Sequence, residues 1–296
     1  MTPSGFQLGP SSTVRFSDDG TYLASLRGRI SLWDVSDRRR VASGPRFPHA
    51  SSADFSPDGT LLAVKNTTGD VLVLSIPGFD EISRLSGRDL GEGTPIRFAE
   101  DGKYIVDATW GGALMVRDPI SGALAWSERG ASVFRLERSR DRAVWTYDRN
   151  QLYVRSWPFD AHEPKPISFW GPPFSVALSD DGTRVAGISA GLEVAEQHAD
   201  GTWSASHQAF PAPWDGAAHG LCWGPGDELI HAHHSTVRVF EDVRSPPRLT
   251  RLPFPARDIA VSPAAGKLAV GGWDEGLLLD WPLASTTDVS DAPPPA

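Results

Sequence analysis

The chain has 296 residues, 40% hydrophobic and 22% charged, with a formal net charge of −9. This is globular composition, outside the disordered, collagen-like and membrane classes. A single cysteine, Cys222, excludes an intrachain disulfide and a cysteine-only metal cluster, while 29 glycines and 25 prolines call for many short connections rather than long helices.

Met1 to Gly5 lacks the basic start and apolar run of a secretory signal, and no uninterrupted apolar stretch reaches 18 residues. With one thiol and no export signal, a cytoplasmic location is expected, with no membrane association. The acidic balance argues against a nucleic-acid partner, because neutralising phosphates requires a basic face.

A motif repeats along the chain. Val14-Arg-Phe16-Ser-Asp-Asp-Gly20-Thr-Tyr-Leu23-Ala24 recurs as Ala53-Asp-Phe55-Ser-Pro-Asp-Gly59-Thr-Leu-Leu62-Ala63. It returns as Ile96-Arg-Phe98-Ala-Glu-Asp-Gly102-Lys-Tyr-Ile105-Val106 and as Val176-Ala-Leu178-Ser-Asp-Asp-Gly182-Thr-Arg-Val185-Ala186. Weaker copies begin at Phe134, Leu221 and Ile259. The anchors Phe16, Phe55, Phe98, Leu136, Leu178, Trp223 and Val261 are spaced by 39, 43, 38, 42, 45 and 38 residues.

Each unit reads as four strands, here termed a to d. A short alternating strand ends at the anchor, and a Ser-(Asp/Pro)-Asp-Gly turn follows, its glycine supplying a left-handed backbone position. An apolar strand such as Tyr22–Leu26 or 267–270 comes next. A second turn leads into alternation of the type Ile30-x-Leu32, Val71-x-Val73 or Leu277-x-Leu279, and a looser outer strand such as 41–43, 82–85 or 248–252 closes the unit. No segment carries sustained helical periodicity, so the fold class is all-β.

Four-stranded units repeating every 40 or so residues predict a single seven-bladed β-propeller of antiparallel blades over residues 1–284, followed by a polar, proline-rich tail over 285–296. The chain resembles a divergent WD-repeat propeller over residues 6–283, with Leu32-Trp33-Asp34 as its one full WD ending, and the Phe55-Ser-Pro-Asp-Gly59 turn is similar to TolB-like propeller repeats. The Trp33 column otherwise reads Leu74, Arg117, Arg155, Ala195, Phe240 and Asp280, and His219-Gly220 reverses the family's usual Gly-His. The last unit has three clear strands. Phe6-Gln7-Leu8 is expected to supply its missing outer strand, closing the ring and covering an exposed edge.

In a meander, the b–c turns and d–a connections share one rim and the a–b and c–d turns share the other. The second rim carries Asp18, Asp19, Asp58, Asp101, Asp180, Asp181 and Asp227, which recur at one turn position where aspartate binds its own backbone. The first rim carries Trp110 and Trp273 with Tyr147, His233, His234 and Asp274, and the d–a connections add Phe47, His49, Trp170, Trp214, His219 and Phe254. Trp and Tyr favour interface hot spots, so Trp110, Trp170, Trp214, Trp273, Asp274, His49, His219 and His233 are the candidate partner-binding residues.

Other motifs carry less. His231-Ala-His233-His234 invites a metal, but His231 occupies a column otherwise filled by Ala24, Ala63, Ala186 and Ala269, which fits a hydrogen-bonded core histidine. Gly187-Ile-Ser189-Ala-Gly191 matches a nucleophile elbow in letters, yet a strand follows it where the motif needs a helix. Arg38-Arg39-Arg40 reads as a solvated turn, Arg15, Asp54, Arg97 and Arg135 as inter-blade ion pairs, and Cys222 as a buried inner-strand thiol.

The expectation is a monomeric, non-enzymatic module with no metal and no cofactor, binding a protein or peptide on the aromatic rim. The acidic charge suits a basic partner, as in an immunity-type neutraliser of a cationic effector. The alternative is a lactonase- or lyase-like propeller enzyme with a channel-mouth site built from His49, His219, His233 and Asp274.

Overall fold

Alternating apolar strands separated by glycine turns should pair locally into meanders, and in a computed structural model they do. The structure describes residues 4–86, 95–109, 113–129, 136–139, 142–146, 151–156, 165–171, 173–189, 191–204, 207–210 and 219–283. The amino-terminal strand is β1 (Phe6–Gln7). Five four-stranded sheets follow. They are β2 (Thr13–Phe16), β3 (Tyr22–Leu26), β4 (Arg29–Asp34) and β5 (Arg39–Arg46); then β6 (Ala50–Phe55), β7 (Leu61–Asn66), β8 (Val71–Ser75) and β9 (Glu81–Leu85). Next are β10 (Ile96–Phe98), β11 (Ile105–Thr109), β12 (Ala113–Arg117) and β13 (Leu124–Arg129), followed by β14 (Leu136–Ser139), β15 (Arg142–Thr146), β16 (Gln151–Ser156) and β17 (Lys165–Ser168). The fifth sheet is β18 (Ser175–Leu178), β19 (Arg184–Ile188), β20 (Leu192–Glu196) and β21 (His207–Phe210).

A six-stranded sheet completes the chain, from β22 (His219–Trp223) through β23 (Leu229–Phe240), β24 (Arg248–Ser262), β25 (Lys267–Gly272) and β26 (Gly276–Asp280) to β1. All pairings are antiparallel, and no helix occurs among the described residues. None is therefore long and apolar enough to cross a membrane. The two halves of β24 pair with different strands: Arg248–Arg251 with β23, and Asp258–Ser262 with β25. Phe6 pairs with Leu278 and Gln7 with Leu277, so the amino terminus covers β26 as expected from the sequence.

The sheets stand in a propeller-like ring. β2 touches β6, β6 touches β10, and contacts continue through β14, β18 and β22 to β24, which returns to β2. Every sequence anchor that the structure describes falls on one of these inner strands. Backbone and side chain pin the seams. Thr13 Oγ1 donates to the Ser51 carbonyl at 3.2 Å, Phe98 N–H to Asp54 Oδ2 at 2.8 Å, and Trp223 Nε1–H to the Ala177 carbonyl at 3.2 Å. Arg15 lies 4.0 Å from Asp54, an inter-blade ion pair as expected, whereas Arg135 lies outside the described residues.

The core lies between neighbouring sheets rather than within one. One cluster joins Leu26, Ile30 and Leu32 to Phe47, Phe55, Leu62 and Leu72, and another joins Leu8, Val14, Leu23 and Trp33 to Ala260, Ala269 and Leu278. Each fully buried large apolar side chain contributes about 1.5–3 kcal/mol relative to exposure, so removing one blade would strip its neighbours. The turn chemistry matches the repeat. Gly20 has a φ of 73° and Gly182 one of 69°, a region closed to most side chains. A Cβ at Gly20 would also meet Ser262 Oγ at 2.6 Å.

Two polar arrangements are buried, one between sheets and one within a sheet. Lys65, fully buried, binds Asp107 and donates to the Ala108 carbonyl at 2.6 Å, while Arg117 binds the other oxygen of Asp107. Burial, with the Arg117 charge adding to it, holds the Lys65 ammonium well below its usual value. In the first sheet, Trp33 Nε1–H donates to Ser25 Oγ at 3.0 Å.

Candidate functional site

The turn carboxylates of the a–b rim are structural. Asp19 accepts from the Ser17 hydroxyl at 2.6 Å and from the Thr21 N–H at 3.0 Å, and Asp58 and Asp181 repeat both contacts with Ser56 and Thr60, and with Ser179 and Thr183. The Ser17 and Thr21 hydroxyl donors hold Asp19 below the usual carboxylate range. Asp227 pairs with Arg184.

Between the inner strands lies a cavity of about 690 Å³ that extends to this rim, lined by Arg15, Asp54, Arg97, Trp223 and Asp258 among others. Two of its carboxylates are engaged: Asp54 accepts from Phe98, and Asp258 Oδ2 accepts the Val14 N–H at 2.9 Å. His49, His233 and Asp274, three of the residues proposed for a channel-mouth enzyme site, do not line it, and the side chain of the fourth, His219, lies outside the described residues. Cys222 does, and it is only partly buried rather than sealed in the core.

The opposite rim divides the sequence candidates. Trp110, Trp214 and Tyr147 lie outside the described residues. Phe47 and Phe254 are buried, 2% and 6% exposed, and belong to the core rather than to a binding surface. Trp170, between β17 and β18, is 66% exposed, and Trp273, in the turn joining β25 to β26, is 45% exposed. The Trp170 backbone N–H donates to Glu193 Oε2 at 2.9 Å, and the Ser189 hydroxyl binds the other oxygen of that buried carboxylate. Ser189 therefore anchors a connection. β20 follows it, so the nucleophile-elbow spelling has no elbow.

His231 is fully buried, as its column requires, and stacks on His233 with ring centroids 5.9 Å apart. His233 is half-buried and 4.1 Å from the exposed His234 ring, and its backbone pairs with His219. Among the described residues no group of three His, Cys, Asp or Glu side chains is placed to hold a metal ion.

His49 and Trp273 meet in one pocket of about 520 Å³, lined also by Arg27, Arg46, Arg257, Ser51 and Thr67. Asp274 is exposed beside Trp273 but does not line it. The Arg27 guanidinium carbon is 4.1 Å from the Trp273 ring centroid and that of Arg257 is 3.9 Å, while Arg27 Nε donates to the Trp273 carbonyl at 2.9 Å. Partial burial and the neighbouring Arg27 charge lower the Arg257 pKa, with Asp258 opposing them. Cation–π contacts of this kind fix the indole plane and leave its free edge exposed. Sequence reasoning found Trp273 and His49 but missed the arginines. The only signal was arginine at turn and connection positions: Arg27 and Arg46 belong to the first sheet, Arg257 lies beside Trp273 through the β24–β25 pairing, and ring closure brings the two groups together. A scan against protein-family models and a search of curated proteins each found no match to the chain.

Proposed function

We propose that the chain is a non-enzymatic interaction module, a seven-bladed propeller of WD-repeat type that binds a protein or peptide on the rim carrying Trp170 and Trp273. The blade count follows if the six-stranded sheet is two blades, one of β22, the two halves of β23 and the first half of β24, the other of the second half of β24 with β25, β26 and β1, a reading supported by the divided pairing of β24. The WD-repeat reading is supported by Leu32-Trp33-Asp34 and by the buried Trp33–Ser25 hydrogen bond. A lone thiol such as Cys222 suits a cytoplasmic setting.

The observation that carries the functional reading is Trp273, an exposed indole in contact with two guanidinium groups at the mouth of a pocket. A large aromatic that is both rigid and exposed costs solvation without contributing to the core, and it offers a partner contact area at little entropic cost. The net charge of −9 would attract a cationic effector at long range, but three arginines occupy this pocket, so such a partner would dock elsewhere on the ring.

Affinity capture with the full chain, comparing wild type with a Trp170→Ala/Trp273→Ala double variant, tests the assignment. A specific partner retained by wild type and lost by a folded variant is expected, and equal capture by both would overturn the rim assignment. The cavity of about 690 Å³ supports the alternative, a lactonase- or lyase-like site in the channel. A stoichiometric bound metal in purified protein would favour it.

A further inference from the structure

We propose that the Trp273 pocket is an anion site that docks an acidic segment of a peptide partner, its carboxylates held by Arg27, Arg46 and Arg257 against the Trp273 indole. The proposal deepens the rim reading and rests on it.

Charge placement is the main argument. The chain carries 37 acidic against 28 basic residues, so an arginine drawn at random has carboxylates to pair with. Many have done so: Arg38 with Asp280, Arg84 with Glu81, Arg155 with Glu128, Arg184 with Asp227 and Arg248 with Glu241. Arg27, Arg46 and Arg257 converge on one pocket, and among the described residues none has a carboxylate within ion-pair distance. Nor does any Asp or Glu among the described residues line the pocket. Three like charges held together, with only the neighbouring Asp258 offsetting the Arg257 charge, repel one another, and an arriving anion relieves that repulsion.

The donors are also free to act. Arg27 spends Nε on the Trp273 carbonyl, which fixes the guanidinium and leaves its terminal nitrogens for a ligand. The pocket hydroxyls of Ser12, Thr13 and Ser51 donate to backbone carbonyls, so recognition of an anion falls to the guanidinium groups. His49, exposed and with a φ of 59°, adds an imidazole to the pocket wall. A single small anion would leave most of the 520 Å³ to water, whereas an extended segment bearing two or more carboxylates fills it and covers the indole. Asp274 and Glu275, exposed just outside the pocket, discourage a long acidic run from extending past Trp273.

The experiment pans a phage-displayed random dodecapeptide library on the full chain and on an Arg27→Gln/Arg257→Gln variant whose melting profile matches wild type. Peptides selected by wild type should be enriched in Asp and Glu, and a synthetic member of that pool should bind the double variant at least tenfold more weakly. It should bind an Arg39→Gln control unchanged. A pool without acidic enrichment, or acidic peptides that bind the double variant as well as wild type, overturns the proposal. Calorimetry with inorganic phosphate forms the second arm: tight phosphate binding without acidic peptides would make this a small-anion site and overturn the peptide assignment. Either failure leaves the wider rim reading to the capture experiment, which reads Trp170 and an unselected partner.

Discussion

The backbone N–H of Val14 donates to Asp258 Oδ2 at 2.9 Å across 244 residues of sequence, and this bond lies at the seam where the ring returns on itself. The equivalent contact, Ile96 N–H to Ser52 Oγ at 3.3 Å, joins two sheets adjacent in the chain. At the closing seam no short connection holds the strands together, so side-chain acceptors matter more. Asp258→Ala leaves the Val14 N–H without its partner and should cost about 1–3 kcal/mol, the usual range for an unsatisfied buried donor. Asp258→Asn keeps an acceptor and should cost less than half as much. Chemical denaturation of the two variants beside wild type checks this, and equal stability would mean that the bond does not hold the seam.

Truncation of residues 1–9 tests the same closure from the other side. It removes the pairing of β1 with β26, the buried Leu8 and the edge-on contact of Phe6 with Trp33 at 5.7 Å. Two apolar side chains at about 1.5–3 kcal/mol each, with an exposed strand edge left behind, predict a loss of several kcal/mol. Calorimetry should show a melting temperature lower by more than about 5 °C, given the few degrees per kcal/mol usual for domains of this size. A shift within error would detach β1 from the stability of the ring.

The repeats made the fold legible because each unit carries its own instructions. An anchor such as Phe55 ends one strand, Ser56-Pro-Asp58-Gly59 turns the chain, and Leu61 begins the next, all within seven residues. The merging of two arms into β24 was not legible, since the bend near Pro253-Phe254-Pro255 stays extended enough to keep both pairings. The candidate site was half legible. Trp273 stands out by type and turn position; Arg257 reaches it through the local pairing of β24 with β25, but Arg27 becomes its neighbour only through closure of the ring. Lys65 was hidden for a similar reason. An isolated lysine in an apolar strand reads as outward-facing, and its partner Asp107 belongs to the next sheet.

The turn aspartates should shape the acid limb of stability. Burial would raise Asp181, but the Ser179 hydroxyl, the Thr183 donors and Arg184 outweigh it and bring the carboxyl down to about 2. A folded-state pKa below the unfolded value means that the contribution is present above about pH 4 and is lost as pH falls toward 2. Asp58, lowered by Ser56 and Thr60, acts in the same sense. Asp58→Asn/Asp181→Asn should therefore be less stable than wild type at pH 6, with the gap narrowing as pH falls toward 2. Urea midpoints across that range check it. A gap independent of pH would assign the effect to the hydrogen bonds alone.

The buried triad makes an ordered prediction. Asp107 is shared by Lys65 and Arg117, and the two cations differ in what their loss leaves behind. Lys65→Met removes one buried charge and fills similar space, while Asp107 stays paired with Arg117. Asp107→Ala leaves two cations facing each other without a counter-charge, in a site where Lys65 and Asp107 are fully buried and Arg117 is nearly so. Breaking a buried ion pair by removing one partner costs about 3–5 kcal/mol, whereas apolar replacement is often close to neutral. Asp107→Ala should accordingly be the most damaging, and adding Lys65→Met to it should recover part of the loss. A double-mutant cycle read by denaturant midpoint decides the matter. If the two substitutions simply add, Asp107 is not balancing the Lys65 charge, and the short contact between them stabilises the seam only by packing.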